Sequence, residues 1–142
     1  MTVELLLDNS AWARLNAPTL APQRVGEIAL ALETGRLAVC LPFLLEAGYS
    51  ARNAAAYEEL LDELVALPLL AIDRQVEQRA LHAQRQLARV GHHRLPPVDV
   101  MLAAIADRYD VGVLHYDADY DVLSQKTDLV FESAWLAPRG TL

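Results

Sequence analysis

The sequence predicts a single α/β domain over residues 1–142, with a central, mainly parallel sheet of four to five strands. Short apolar runs alternate with longer segments of helical periodicity, which is the pattern of βαβ units. The runs are continuous rather than alternating in polarity, as expected for strands buried on both faces. Together these observations predict an α/β fold built from βαβ units around a buried parallel sheet.

The individual elements follow from the apolar runs and from helical periodicity. The predicted strands are residues 3–7, 37–41 and 112–115, with a final edge strand at 129–131. The predicted helices are a short one at 11–15 and longer ones at 22–34, 42–52, 54–67, 73–90 and 97–109. The apolar run at 69–72 is too short to classify.

Polar and glycine residues mark the predicted helix ends. Asn9 or Ser10 can cap the first helix and Asn53 the fourth, because their side chains accept hydrogen bonds from free N–H groups of a first turn. Gly35 and Gly91 follow helical segments, where a glycine favours termination.

The composition fits a globular protein rather than a membrane protein. Apolar residues make up 54% of the chain, but no run of eighteen occurs. The N-terminus lacks the features of a signal peptide, and a single Cys40 allows no internal disulfide, so we expect a cytoplasmic protein.

The charge balance speaks against a protein that binds nucleic acid by bulk positive charge, because the net charge is −7. All but Lys126 of the 12 basic residues are Arg. Arginine suits bidentate phosphate recognition, although a GC-rich genome explains the same bias.

Five acids occupy positions typical of a divalent-metal site. They are Asp8 after the first strand, Glu46 in an apolar helix, Asp99 in the first turn of another, and Asp117 and Asp119 after the strand at 112–115. Ligands of open α/β sheets bind outside the carboxyl ends of strands. Oxygen ligands without Cys or a well-placed His indicate Mg²⁺ or Mn²⁺ rather than zinc. Such a metal favours phosphodiester hydrolysis.

Each acid also has an ordinary structural explanation. Asp8 could cap a helix, Glu46 could face solvent, and Asp99 could complement the helix dipole. Residues 117–121 could form a solvated acidic loop, and for Asp121 we expect solvation only.

The loop before the helix at 97–109 supplies candidate RNA contacts. His92, His93 and Arg94 are expected to line the mouth of the site, since the adjacent His92 and His93 are poorly placed to bind one ion. Of these, Arg94 and His93 are the candidate RNA contacts. The polar helix at 73–90 could meet a partner or an RNA backbone, although a solvated face is the simpler explanation. Its arginines are Arg74, Arg79, Arg85 and Arg89.

Four segments resemble the PIN domain and, within it, the VapC-type toxins of bacterial toxin–antitoxin modules. They are LLLDNSAWARL, LPFLLEAGYSAR, PPVDVMLAAIA and VLHYDADYDVL, and the tail WLAPRGTL is also similar. Each motif is weak alone, but four in the same order over nearly the whole chain are specific. Tyr120 stands where Phe is common in the family, and Asn9 where Thr or Ser is common.

The resemblance implies a three-layer α/β/α, PIN-like fold and a Mg²⁺-dependent endoribonuclease, the toxin of a type II toxin–antitoxin system. Its substrate would be structured RNA (tRNA, rRNA or mRNA), and Mn²⁺ could substitute for Mg²⁺. The implied partners are a VapB-type antitoxin and a second copy of the chain. The implied catalytic and metal-binding acids are Asp8, Glu46, Asp99 and Asp117, with Asp119 as a fifth metal ligand and Ser10 as a support that holds a water.

Competing interpretations lack their central elements. Asp117, Asp119 and Asp121 match the start of an EF-hand loop, but Val122 replaces the required Gly. A haloacid-dehalogenase phosphatase would need an Asp where Ser10 stands, and no Walker A or G-x-S-x-G motif occurs. The remaining alternative is a PIN-fold protein that keeps the acids but acts by binding RNA, or as an antitoxin-dependent repressor.

Overall fold

The computed structural model describes residues 2–142, and within them the chain forms four strands and seven helices. The strands are β1 (Leu5–Leu7), β2 (Leu37–Ala38), β3 (Gly112–His115) and β4 (Ser133–Trp135). The helices are α1 (Asn9–Trp12), α2 (Pro22–Glu33), α3 (Leu41–Tyr49), α4 (Ala54–Val65), α5 (Arg74–Arg89), α6 (Pro97–Tyr109) and α7 (Asp119–Lys126).

The four strands form one parallel sheet in the order β2-β1-β3-β4. All four residues of β3 are buried, as are Leu6 and Leu7 of β1. Because successive side chains in a strand point to opposite faces, both faces of the sheet must be covered. The predicted three-layer α/β/α class with a parallel sheet is therefore confirmed.

Pairing of β1 with β3 brings two segments together that are far apart in the sequence. Leu7 lies opposite Leu114, and the Asp8 N–H donates to the Leu114 carbonyl at 3.0 Å. The residues that follow these two central strands, Asp8 and Asp117, therefore meet at the same edge of the sheet. This edge is where an open parallel sheet binds ligands.

Helix α6 brings Asp99 to the same region. Pro97 occupies its first turn, where a missing N–H costs nothing. The helix is apolar enough to bury Leu102 through Ala106 completely. Its packing against β1 and β3 therefore carries the acid of its first turn into the interior.

Several local predictions need correction. Neither Asn9 nor Ser10 caps α1; Asp8 does so itself, accepting from the Ser10 N–H at 2.9 Å. The edge strand lies at Ser133–Trp135 rather than at 129–131. Residues 69–72 contribute only a parallel bridge between Val39 and Leu69.

The predicted helices at 22–34, 54–67, 73–90 and 97–109 are confirmed to within a few residues. Asn53 and Asp73 cap α4 and α5 through their side chains. Gly35 and Gly91 have positive φ angles just beyond α2 and α5, as helix-terminating glycines do.

Gly112 at the start of β3 provides a test of this packing. A β-carbon there would lie 2.8 Å from a Leu5 methyl carbon and 2.9 Å from the Glu132 carbonyl oxygen. Because the second contact is with backbone, Gly112→Ala is expected to lower the free energy of unfolding by about 1–3 kcal/mol, measured by urea denaturation.

Gly26 is the matched control, because it is exposed inside α2 and a β-carbon there meets nothing within 4 Å. Gly26→Ala is expected to raise stability by about 0.5–1 kcal/mol. Equal stability of Gly112→Ala and the wild type would contradict the close approach of β1, β3 and the segment before β4.

Candidate metal centre

Three carboxylates converge beyond the carboxyl end of β3. One oxygen from each of Asp99, Asp117 and Asp119 lies within 4.8 Å of the others. Asp99 comes from the first turn of α6, Asp117 from the turn after β3, and Asp119 from the start of α7. The Asp119 N–H donates to Asp117 Oδ1 at 2.9 Å, which fixes the turn that presents both acids.

Asp99 is the most deeply buried of the three acids. Its residue is 7% exposed. Among residues 2–142, its Oδ2 is the buried side-chain oxygen or nitrogen that has no hydrogen-bond partner. A buried carboxylate oxygen without a partner costs about 1–3 kcal/mol or more. A cation or a hydrogen-bond donor next to Asp99 Oδ2 would therefore stabilise the site.

The electrostatics of the site reflect this crowding. Burial, followed by repulsion from Asp8, Asp117 and Asp119, raises the pKa of Asp99 from 3.8 to about 8. Burial and repulsion from Asp117 also raise the pKa of Asp119. Both shifts show that these positions favour a neutral acid, or a carboxylate neutralised by a cation.

Asp8 is held at the end of β1 by two neighbours. It is 4% exposed, and its Oδ2 accepts hydrogen bonds from the N–H and the hydroxyl of Ser10. The Tyr116 N–H in turn donates to Ser10 Oγ at 2.8 Å. The Ser10 hydroxyl thus joins the ends of β1 and β3, and the water-holding role that the resemblance implies for it stays a prediction.

Tyr120 connects Asp8 with Asp99. Its side chain is fully buried, and its hydroxyl lies 2.8 Å from Asp8 Oδ1 and 3.3 Å from Asp99 Oδ1. Burial and the two carboxylates raise the pKa of the Tyr120 phenol, so it stays a hydrogen-bond donor. In the sequence, Tyr120 stood out only as a departure from Phe. The available signal was a hydroxyl at a position where the family commonly has an apolar ring.

Glu46 lies on α3 at the border of the site. It is half-buried, and burial followed by repulsion from Asp8 raises its pKa, an effect that the Asn9 side chain partly offsets. Glu46 therefore lies near enough to Asp8 for the two carboxylates to repel each other. It lies outside the tight group of three carboxylates.

Comparison of the sequence with known proteins identifies the family of this chain. Residues 5–126 match the family described as PIN domain. The chain belongs to the PIN-domain family. It is 35% identical to Ribonuclease VapC18 of Mycobacterium tuberculosis over 96% of this chain and 97% of that protein. It is 34% identical to Ribonuclease VapC51 of the same organism over 100% and 99% of the two chains.

A solved structure supports the PIN fold independently. The DNA-bound VapBC of Salmonella typhimurium superposes with a TM-score of 0.71 at 20% identity, covering 96% of this chain and 100% of that chain. At that identity the likeness concerns the fold. The VapC-type resemblance drawn from four short motifs is thus confirmed at the level of the family.

The acids implied for this PIN domain are not equivalent. Asp99 and Asp117 meet directly, whereas Asp8 reaches Asp99 through Tyr120. Asp119, implied as a fifth metal ligand, belongs to the group of three converging carboxylates. Glu46 lies near Asp8 but outside that group. Sequence order could not reveal which acids converge, because their convergence depends on the turn after β3.

Asp121 does not behave as expected. The sequence predicts only solvation for Asp121, but its Oδ1 accepts a hydrogen bond from the Ser133 hydroxyl at 2.7 Å. Its Oδ2 accepts from Trp135 Nε1 at 3.1 Å. That prediction was wrong because both partners come from β4, which was placed at the wrong residues.

The candidate RNA contacts stay predictions. His93 and Arg94 are exposed in the loop between α5 and α6, which leads to Asp99. Of the α5 arginines, Arg79 pairs with Asp107 at 2.8 Å and so helps to dock α5 on α6. Arg74, Arg85 and Arg89 are exposed.

The raised pKa of Asp99 predicts a pH dependence of stability in metal-free protein. Between about pH 4 and about pH 8 the folded state holds a proton that the unfolded state has lost, so this group's contribution to stability falls as pH rises through that window. Asp99→Asn removes the effect and is expected to stabilise the metal-free protein near pH 8. Urea denaturation in EDTA at about pH 5 and about pH 8 measures it.

Asp62→Asn, at an exposed acid on α4, is the matched control and should lose stability with pH as the wild type does. An Asp99→Asn variant with the same pH slope as the wild type would contradict the burial of this carboxyl among other acids.

Proposed function

We propose that this chain is a divalent-metal-dependent endoribonuclease, the toxin of a type II toxin–antitoxin pair. The observation that carries the proposal is the buried, unpartnered oxygen of Asp99 facing two further carboxylates. The VapC ribonucleases that the chain resembles over nearly its full length support the same activity.

The donor set fits Mg²⁺. Magnesium prefers oxygen ligands and is usually bound by one or two carboxylates while keeping several waters. Asp99, Asp117 and Asp119 would hold the ion. Asp8 and Glu46 would add negative charge beside it. Buried His115 faces Ser133 and the Asp117 N–H rather than these acids. Mn²⁺ has similar ligand preferences and can replace Mg²⁺.

A bound divalent cation supplies positive charge to a phosphodiester and lowers the pKa of a coordinated water. The protein's own groups prepare that chemistry. Ser10 and Tyr120 fix Asp8 and Asp99 in orientation before any ligand arrives, so little reorganisation is needed on binding. Asp99 must lose its proton to act as a ligand, so metal binding should release a proton below about pH 8.

The proposed substrate is a single-stranded stretch or loop of structured RNA, where unstacked bases are accessible. A net charge of −7 means that the chain cannot hold RNA by bulk charge. We therefore assign backbone contacts to the exposed Arg94 and His93 beside α6, together with the metal. The proposed place of action is the cytoplasm.

The proposed partners are a VapB-type antitoxin and a second copy of the chain. Solved structures similar to this fold include VapBC complexes, among them one from Mycobacterium tuberculosis with a TM-score of 0.60 at 20% identity. The structure contains no helix long and apolar enough for a membrane span within residues 2–142.

Cleavage of RNA by the purified protein tests the proposal. We expect cleavage with Mg²⁺ and none with EDTA. Asp99→Asn and Asp117→Asn should each reduce the rate by at least about 100-fold, because each removes several kcal/mol of metal binding and charge stabilisation. Asp62→Asn should cleave as the wild type does.

A direct measurement of metal binding tests whether a loss of cleavage comes from a loss of metal affinity. Titration with Mn²⁺ in a calorimeter should show binding to the wild type and to Asp62→Asn, and a strongly weakened affinity in Asp99→Asn. Equal cleavage with and without EDTA would overturn the metal mechanism. RNA binding without cleavage under any of these conditions would favour a non-catalytic, RNA-binding or repressor role.

A further inference from the structure

His115 is a buried polar residue that the proposed chemistry does not use. It ends β3 and is fully buried. Its ring stacks on Tyr120 at 4.7 Å between centroids and meets Trp135 edge-on at 5.0 Å. A histidine at this depth needs partners for both ring nitrogens.

Both ring nitrogens have partners, and the partners define the tautomer. Nδ1 accepts the Asp117 N–H at 3.0 Å. Because a backbone N–H can only donate, Nδ1 carries no proton, and the neutral ring bears its proton on Nε2. Nε2 lies 2.7 Å from Ser133 Oγ and donates to it.

The chain of hydrogen bonds extends from His115 through Ser133 to Asp121. Ser133 accepts from His115 and donates its own proton to Asp121 Oδ1 at 2.7 Å. Asp121 is fixed further by Trp135 Nε1, which lies 3.1 Å from Oδ2. The resulting relay runs from the Asp117 N–H through His115 and Ser133 to Asp121, and every donor in it has one acceptor.

The relay touches the acidic site at two points. Through Nδ1 it holds the backbone of Asp117, and through its ring face it supports Tyr120. Tyr120 in turn bonds Asp8 and lies within 3.3 Å of Asp99 Oδ1. The His115 ring therefore contacts the Asp117 backbone directly, and it reaches Asp8 and Asp99 through Tyr120.

We propose that His115, oriented by Ser133 and Asp121, is a positioning residue that sets the geometry of Asp117 and Tyr120 for metal binding. The inference rests on the proposed function, because it assumes that the acids bind a divalent ion. His115 would not touch the metal or the RNA.

A purely structural role for the relay makes a different prediction. Strand β4 is already held to β3 by backbone pairing, and the Leu136 N–H donates to the His115 carbonyl at 2.7 Å. If the relay only anchored β4, its loss would lower stability but leave the metal affinity of the folded protein unchanged.

Ser133→Ala and Ser133→Thr form the decisive pair. Alanine breaks the relay at one hydroxyl, whereas threonine keeps a hydroxyl at that position. We expect Ser133→Ala to weaken Mn²⁺ binding about 10-fold or more, as removal of groups that orient metal ligands commonly does. Ser133→Thr should restore most of the affinity. Ser124→Ala removes a hydroxyl of α7 outside the relay and should bind Mn²⁺ as the wild type does.

Calorimetric titration with Mn²⁺, on samples shown to be folded by circular dichroism, measures these affinities. In cleavage assays over a range of RNA concentrations, Ser133→Ala should lower kcat while KM for RNA stays near the wild-type value. Nitrogen NMR of the His115 ring gives a readout that does not depend on metal or activity, and should show the proton on Nε2.

Wild-type Mn²⁺ affinity in folded Ser133→Ala would overturn the positioning role, as would a proton on Nδ1 of His115. A wild-type protein that binds no Mn²⁺ and cleaves no RNA would instead overturn the proposed function and this role with it. The two failures are therefore distinguishable.

Discussion

The burial of the Asp99 carboxyl among other acids is the constraint on which this site depends. Helix α6 is too apolar to leave the core, so its first turn carries an acid inward. No described basic side chain pairs with that acid, and one of its oxygens lacks any partner. The chain thus keeps an electrostatically unfavourable arrangement that a bound divalent cation would relieve. Such unfavourable groups are commonly retained where function needs them.

The surrounding residues can be understood as responses to this constraint. Ser10 donates hydrogen bonds to Asp8 Oδ2, and Tyr120 places a hydroxyl donor between Asp8 and Asp99. These neutral donors orient the carboxylates without neutralising them. A lysine or arginine in the same place would stabilise the metal-free protein, but it would compete with the cation for the same oxygens.

Much of the fold was predictable because it follows from local patterns. Continuous apolar runs indicated the buried strands β1 and β3, and caps such as Asn53 and Asp73 marked helix starts. The acids of the site were also identifiable, since each follows a strand or interrupts an apolar helix. What local patterns could not indicate is the set of contacts made by β4. Its three residues lack a distinctive apolar run, and the roles of Asp121, Ser133 and His115 depend on its position.

The sheet order has a consequence for when the site can exist. β1 pairs with β3, so the bond from Tyr120 to Asp8 spans 112 positions of sequence. Contacts so distant in the chain form late and slowly, and they cannot form before the second partner has been synthesised. A nascent chain that has not yet produced β3 and α7 carries Asp8, Glu46 and Asp99 but lacks the turn that assembles them. The acids of the site are therefore brought together only near the end of synthesis, and partial translation products lack the complete site.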